Sequence, residues 1–351
     1  MKKISECVSP GHPDKVADLI SQYILDRYIE QDPYTRYAVE VLIKGNTVHL
    51  AGEVTSKVCF SYEDYNRFVF EALCEIGYTP QYYKKWEGNT IDPVNMYVTV
   101  DITAQSGEIS VGVNNEGWGD QGIFFGYADV NGDEYQMPLS HSLAKKLCQM
   151  LYNNAKCFDV GGLDIKTEIV LGEDDKIEKV IAAVPCRSET EHAEVLKSIQ
   201  YWCQPWGGNP TIVLNGTGIY KMHGPLADCG VTGRKLAVDF YGGEFQVGGG
   251  AVIKDGTKAD VSLNLYARKL ALKYAKERNE SIKVSIACCI GKSEVDYSIE
   301  TPCGDIIETG VMDLKPRKVI TELGLDKPIY FSMHYFGLFG EFQAKEWENA
   351  S

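Results

Sequence analysis

The stretch Gly224–Asp260 reads GPLADCGVTGRKLAVDFYGGEFQVGGGAVIKDGTKAD and combines residue types that a polyphosphate site needs. Its nine glycines let backbone approach a ligand closely. Arg234, Lys235, Lys254 and Lys258 can bind phosphate oxygens, and Asp260 can hold an accompanying Mg²⁺. No G-x-x-x-x-G-K-[ST] occurs, and Gly230-Val231-Thr232-Gly233-Arg234-Lys235 has a different spacing, so this is not a P-loop. A phosphate cradle here must be assembled from distant pieces. Taken alone, the triple glycine also suits a loop, and Lys254, Lys258 and Asp260 suit a solvated helix start.

Three shorter constellations could complete it. Gly11-His12-Pro13-Asp14-Lys15 lies at a loop-to-helix junction, where backbone N–H groups and the helix dipole favour an anion. It offers a donor, a metal ligand and a cation, and equally an acidic first helical turn. Gly117-Trp118-Gly119-Asp120-Gln121-Gly122 matches G-x-G-x-x-G by letters. The aromatic run 123–127 that follows reads as a strand, not a helix, which excludes a dinucleotide fingerprint. Asp120 is then a turn residue or a substrate contact. Asp164-Ile165-Lys166 places an acid and a base on one face of a strand. Glu40 and Glu53 lie on the strands of a hairpin, and nothing local singles them out.

These residues must be positioned by a large, acidic chain. Its 351 residues carry a net charge of −14, which argues against a nucleic-acid backbone as partner. A basic cluster inside such a chain reads as a pocket for a small anion. No apolar run reaches the roughly 20 residues of a membrane span, and the N-terminus lacks a secretory h-region. Eleven cysteines without a C-x-x-C spacing read as reduced thiols of a cytoplasmic protein.

Apolar periodicity predicts helices near 14–30, 61–76, 139–152, 190–202, 259–276 and 315–323. Pro13 suits the start of the first, and Ser61 with Asp64 caps the second. Strand-like runs fall at 36–43 with 47–57, 94–103, 165–171 with 179–184, and 283–290 with 295–300. Hairpins separated by pairs of helices predict an α+β fold, and six helices fit three similar units of a sheet backed by helices.

Together the blocks GHPDKVADLIS, GWGDQGIFFGYA, GPLADCGVTGRKLAVDFYGG and GGGAVIKDGTKAD, with DLKPRKVI and PIYFSMHYFGLFGEF near the C-terminus, resemble the S-adenosylmethionine synthetases (methionine adenosyltransferases). The resemblance covers nearly the whole chain. It implies attack of methionine sulfur on C5′ of ATP, then hydrolysis of the released tripolyphosphate to pyrophosphate and phosphate.

The resemblance also implies roles. His12 falls near the ribose–triphosphate junction. Lys15, Lys166, Arg234, Lys235, Lys254 and Lys258 face phosphate or the methionine carboxylate. Asp14 and Asp260 match Mg²⁺ positions, two ions per site, and Glu40 a K⁺ position. Glu53, Gln105 and Asp228 surround methionine, with Lys258 reaching its carboxylate. Asp120, Asp164 and Tyr220 lie around methionine or adenosine, and Ala251 joins the ATP contacts. The family fold is three pseudo-symmetric α+β domains, each a mostly antiparallel sheet backed by helices. The expected segments are 1–12 with 105–225, 13–104, and 226–351. Active sites between subunits imply a homodimer or a dimer of dimers.

The chain departs from the family pattern at Ala259-Asp260-Val261-Ser262, where the family has Val-Asp-Arg-Ser, and in a shortened 105–120 loop. Two alternatives stay open: a non-catalytic nucleotide-binding paralogue or regulatory subunit, and a transferase for another thioether acceptor.

Overall fold

The computed structural model describes residues 2–104, 117–207, 209–340 and 345–348. The strands are β1 (Lys3–Val8), β2 (Arg36–Lys44), β3 (Thr47–Thr55), β4 (Tyr97–Thr103), β5 (Gly122–Ala128), β6 (Lys166–Leu171), β7 (Ile177–Ala183), β8 (Thr211–Leu214), β9 (Gly230–Val231), β10 (Ile282–Cys288), β11 (Glu294–Glu300) and β12 (Ile306–Asp313). The helices are α1 (Pro13–Ile29), α2 (Tyr62–Ile76), α3 (Pro80–Lys85), α4 (Leu139–Phe158), α5 (Glu189–Cys203), α6 (Leu236–Asp239), α7 (Ala259–Arg278), α8 (Pro316–Leu323) and α9 (Tyr330–His334).

Among the described residues the strands form three four-stranded sheets, ordered β1-β6-β7-β8, β12-β11-β10-β5 and β4-β3-β2-β9. Most pairings are antiparallel; β3 with β4 and β7 with β8 are parallel. Each sheet carries helices on one face. The helix α4 packs on β1 and β6, α7 on β5 and β10, and α1 on β2 and β9. The result is the expected α+β architecture of three sheet-and-helix domains. No described helix is long and apolar enough to cross a membrane.

Local sequence explains the elements closest to the site. In β2, Tyr37, Val39, Val41 and Ile43 are buried while Glu40 and Leu42 face outward, the period-two pattern of a half-buried strand. The helix α2 has a full capping box of Ser61 and Asp64 and ends at Gly77, whose φ of 116° is left-handed. The helix α1 is buried along nearly its whole length, because it lies between the β2 sheet on one side and α2 and α9 on the other.

The sheets are built from non-contiguous chain, and that positions the site. The short strand β9 returns from residue 230 to pair with Leu42 and Ile43 of β2. This brings 232–239 back against the start of α1. Strands β1, β6, β7 and β8 draw on the expected grouping of 1–12 with 105–225. However, β5, from the same stretch, pairs with β10 instead. A contiguous 105–225 unit would leave the β10 edge of its sheet uncovered.

Candidate active site

The start of α1 is the centre of the site. Its N-cap is His12, whose Nδ1 accepts a hydrogen bond from the Asp14 amide at 3.1 Å. The preceding loop is stitched to the start of β6. Ser9 N donates to the Ile165 carbonyl at 3.0 Å, and Ile165 N donates to Ser9 Oγ at 2.9 Å. A Cβ at Gly11 would collide with the Leu163 carbonyl, so glycine permits this approach. The stitching brings Asp164 and Lys166 beside His12. Burial, then the charges of Lys235 and Lys166, lower the His12 imidazole to about 3. It is therefore neutral at pH 7 and can donate through one ring nitrogen.

The segment after β9 supplies the cations. Asp14 Oδ1 accepts the Val231 amide at 3.0 Å, and Asp14 Oδ2 pairs with Lys235 Nζ at 2.6 Å. Arg234 lies 3.8 Å from the same carboxylate and is half exposed. Burial opposes the Asp14 charge, but Lys235 and the Val231 amide outweigh it and hold the pKa below the usual carboxylate value.

Asp164 Oδ2 accepts the Gly224 amide at 3.0 Å. Its Oδ1 is buried and has no hydrogen-bond partner among the described residues. Burial raises this carboxyl to about 6. Tyr220 is close enough to Asp164 to feel its charge.

A second acid–base pair lies at the start of α7. Lys254 Nζ donates to Asp260 Oδ2 at 3.1 Å. The triple glycine closes over it: a Cβ at Gly250 would collide with the Asp260 carboxylate. Lys258 sits 3.6 Å from Asp255, which also accepts the Tyr37 amide. Asp120 caps its own turn by accepting the Gln121 amide at 2.8 Å. Cys288 senses the charges of both Asp120 and Asp260, which places them in one neighbourhood.

Other predicted residues are dispersed. Glu40 accepts a hydrogen bond from the Thr232 hydroxyl, at the β9 edge. Glu53 is exposed on the outer face of β3. Asp228 is exposed and accepts the Cys229 amide. Ala251 packs against Gly233. Gln105 and residues 106–116 lie outside the described residues.

Lys15 requires a correction. Expected among the phosphate-facing cations, it points into the interior, and 1% of it is exposed. Its Nζ pairs with Asp239 Oδ1 at 2.6 Å and Asp18 Oδ2 at 3.2 Å. A helical step turns it about 100° from Asp14, onto the face that α6 covers. Burial opposes its charge, but the two carboxylates win and raise its pKa.

Sequence reading missed the support behind the site. Asp18 Oδ1 accepts the Gly233 amide at 2.9 Å, one residue before Arg234. Tyr78 OH donates to the Gly11 carbonyl at 2.6 Å. Tyr82 OH accepts the Leu163 amide and contacts His223 Nε2 at 2.7 Å. No local signal marked Asp18, because a step of about 100° per residue puts it on the side of α1 away from Val16, Leu19, Ile20 and Tyr23.

Family models match in order along the chain. The S-adenosylmethionine synthetase N-terminal domain covers residues 2–107, the central domain 115–203 and the C-terminal domain 222–349. An S-adenosylmethionine synthase of Mycoplasmopsis synoviae is 35% identical over 376 residues, covering 97% of this chain and 93% of the relative. One from Leifsonia xyli subsp. xyli is 34% identical over 379 residues, covering 96% and 92%. The solved structure of an unusual S-adenosylmethionine synthetase from Campylobacter jejuni superposes with a TM-score of 0.88 at 30% identity, covering 99% of this chain and 97% of that one.

Proposed function

The chain belongs to the S-adenosylmethionine synthetase family, and from that premise we propose how its residues share the work of joining ATP to L-methionine. It is a methionine adenosyltransferase, making S-adenosyl-L-methionine from these two substrates. The thioether sulfur forms a bond to C5′ as the C5′–O bond to tripolyphosphate breaks. A thioether has no proton to lose, so no general base is needed. Rate enhancement falls to positioning and to charge on the leaving group.

The observation that carries the residue assignment is the neutral His12 beside the Asp14–Lys235 pair, with Arg234 next to it. His12 donates a hydrogen bond at the ribose–triphosphate junction without adding charge. Lys235, Arg234, Lys166 and Lys254 neutralise the triphosphate as it departs. The same cations hold tripolyphosphate for its hydrolysis. Asp164, with one carboxylate oxygen unpartnered, and Tyr220 contact adenosine. Lys258 holds the methionine carboxylate, supported by Glu53, Asp228 and Gln105.

The donor set fits Mg²⁺ bound through substrate. Among the described residues no cluster of three metal-ligating groups exists, and Mg²⁺ commonly takes one or two carboxylates plus phosphates and water. Asp14 and Asp260 would hold the two ions, and Glu40 a K⁺. When bound, Mg²⁺ disperses phosphate charge and favours departure of tripolyphosphate. Each candidate Mg²⁺ ligand is paired here with a candidate phosphate-binding lysine, Asp14 with Lys235 and Asp260 with Lys254. Lysine thus protects each carboxylate from buried isolation until phosphate and metal replace the pair.

A homodimer or dimer of dimers, cytoplasmic and with sites between subunits, completes the reading. Large apolar side chains stand exposed on strands of all three sheets, among them Ile4, Leu42, Tyr97, Ile123 and Val311. Such faces are expected to pack against a second copy. The test is incubation of purified protein with ATP, L-methionine, Mg²⁺ and K⁺. S-adenosylmethionine with phosphate plus pyrophosphate is expected; ATP binding without turnover contradicts the proposal.

A further inference from the structure

The start of β2, the turn before α7 and the first turn of α8 enclose a cavity of about 280 Å³. Its rim is basic in a chain of net charge −14: Arg36, Lys315, Arg317 and Lys318 line it. Arg317 is held in place there. Its guanidinium lies 4.0 Å from the Tyr34 ring centroid, and it donates to the Pro33 carbonyl at 3.3 Å. Among the described residues, neither Arg317 nor Lys318 has a carboxylate within ion-pair distance.

The carboxylates along the adjoining chain are already engaged. Asp32 accepts the amides of Tyr34 and Lys57 and the Ser56 hydroxyl. Asp255 accepts the amides of Tyr37 and Thr257. On the wall, the Thr257 hydroxyl is buried without a hydrogen-bond partner among the described residues, a cost that a bound acceptor would remove. Pro316 and Ile320 give the cavity an apolar side.

We propose that this cavity is a second anion site, separate from the triphosphate site, that takes a small phosphate monoester with an aromatic or apolar organic part. Arg317 binds the phosphate, the Thr257 hydroxyl donates to it, the apolar wall receives the rest, and Lys318 stands at the rim within reach of the organic part. The same turn carries Lys258 next to Thr257, so the bound anion lies one residue from a proposed methionine contact.

The probe is pyridoxal 5′-phosphate, which forms an imine with a nearby lysine. Borohydride reduction and peptide mass spectrometry then report each site by residue. Lys318 is expected to label at least about tenfold faster than Lys84, an exposed lysine on α3. Inorganic phosphate should suppress that labelling, whereas chloride at equal ionic strength should not. Arg317→Ala and Arg317→Gln should bring Lys318 down to the Lys84 rate with basal synthetase activity retained, which also reports an intact fold. Lys235→Met, in the triphosphate site, should leave Lys318 labelling unchanged. Labelling of Lys318 no faster than Lys84, equal suppression by chloride, or loss of labelling in Lys235→Met would each overturn the proposal.

Discussion

Lys15 Nζ and Asp239 Oδ1 lie 2.6 Å apart in the interior, tying the first turn of α1 to the far end of the segment that carries Arg234 and Lys235. Asp18, one helical turn on, ties the near end through the Gly233 amide. The helix that presents His12 and Asp14 thus clamps the segment of Arg234 and Lys235 at both ends. Removing one partner of such a buried pair costs about 3–5 kcal/mol, because the other charge is left unpaired. Asp239→Asn should lower urea stability by that order. Lys15→Met combined with Asp239→Leu leaves Asp18 without its cation, but its carboxyl, raised to about 7 by burial, can take up a proton, so the double variant should recover part of the loss. A urea midpoint unchanged by Asp239→Asn would show that the pair does not hold the segment.

Asp14→Asn tests the metal assignment. The substitution keeps an acceptor for the Val231 amide but removes the charge that pairs with Lys235. Most of the synthetase activity should be lost at low Mg²⁺, with partial recovery as Mg²⁺ is raised. Activity that is unchanged across a Mg²⁺ titration would remove Asp14 from the metal site.

Burial and the charges of Lys235, Lys166 and Lys15 keep His12 neutral, so the role proposed for it is that of a donor and not an acid. Removing one donor aimed at developing charge costs roughly 10²–10³-fold in kcat. His12→Ala should slow sulfur attack by that order while tripolyphosphate hydrolysis, assayed with added tripolyphosphate, stays largely intact. Equal loss of both steps would contradict the assignment. The imidazole resonance of His12 should also stay unshifted from pH 8 to pH 5.

Much of this was legible in the chain. The periodicity of Tyr37, Val39, Val41 and Ile43, the Ser61–Asp64 box and Gly77 are local signals, and the elements follow them. The return of β9 to β2 is not local: two residues pair across a separation that no periodicity encodes. The misplacement of Lys15 has the same origin. GHPDK reads as one anion-binding run, but helical geometry sends Asp14 and Lys15 to different sides, and only α6 reveals which side is interior. Asp14, Lys235, Lys254 and Asp260 carry charge types that suit phosphate and metal from sequence alone. Their pairing with one another is a property of the fold.

The wall behind the site makes a prediction about acid. His223 is fully shielded, with Nε2 2.7 Å from Tyr82 OH and Nδ1 2.7 Å from the Lys221 carbonyl. Burial lowers its pKa from 6.5 to about 4. In the unfolded chain the imidazole takes up a proton below pH 6.5, while in the folded protein it stays neutral until about pH 4. Its contribution to stability is therefore present above pH 6.5 and is lost as the pH falls towards 4, by at most about 3 kcal/mol. Asp18, Asp26 and Asp164 act with the opposite sign, since burial raises their carboxyls to about 7, 7 and 6. They bind a proton in the folded state and offset the histidines in the wild type. A comparison of wild type with His223→Gln removes that background, because both proteins keep the three aspartates. Urea unfolding at pH 7.5 and pH 4.5 should show a smaller acid loss in His223→Gln than in wild type. The Gln variant should also be less stable at pH 7.5, where Tyr82 loses a well-placed partner. If both proteins lose the same stability between the two pH values, His223 is not excluded from its proton by the fold, and the aromatic wall does not shield the Gly11–Leu163 contact beneath it.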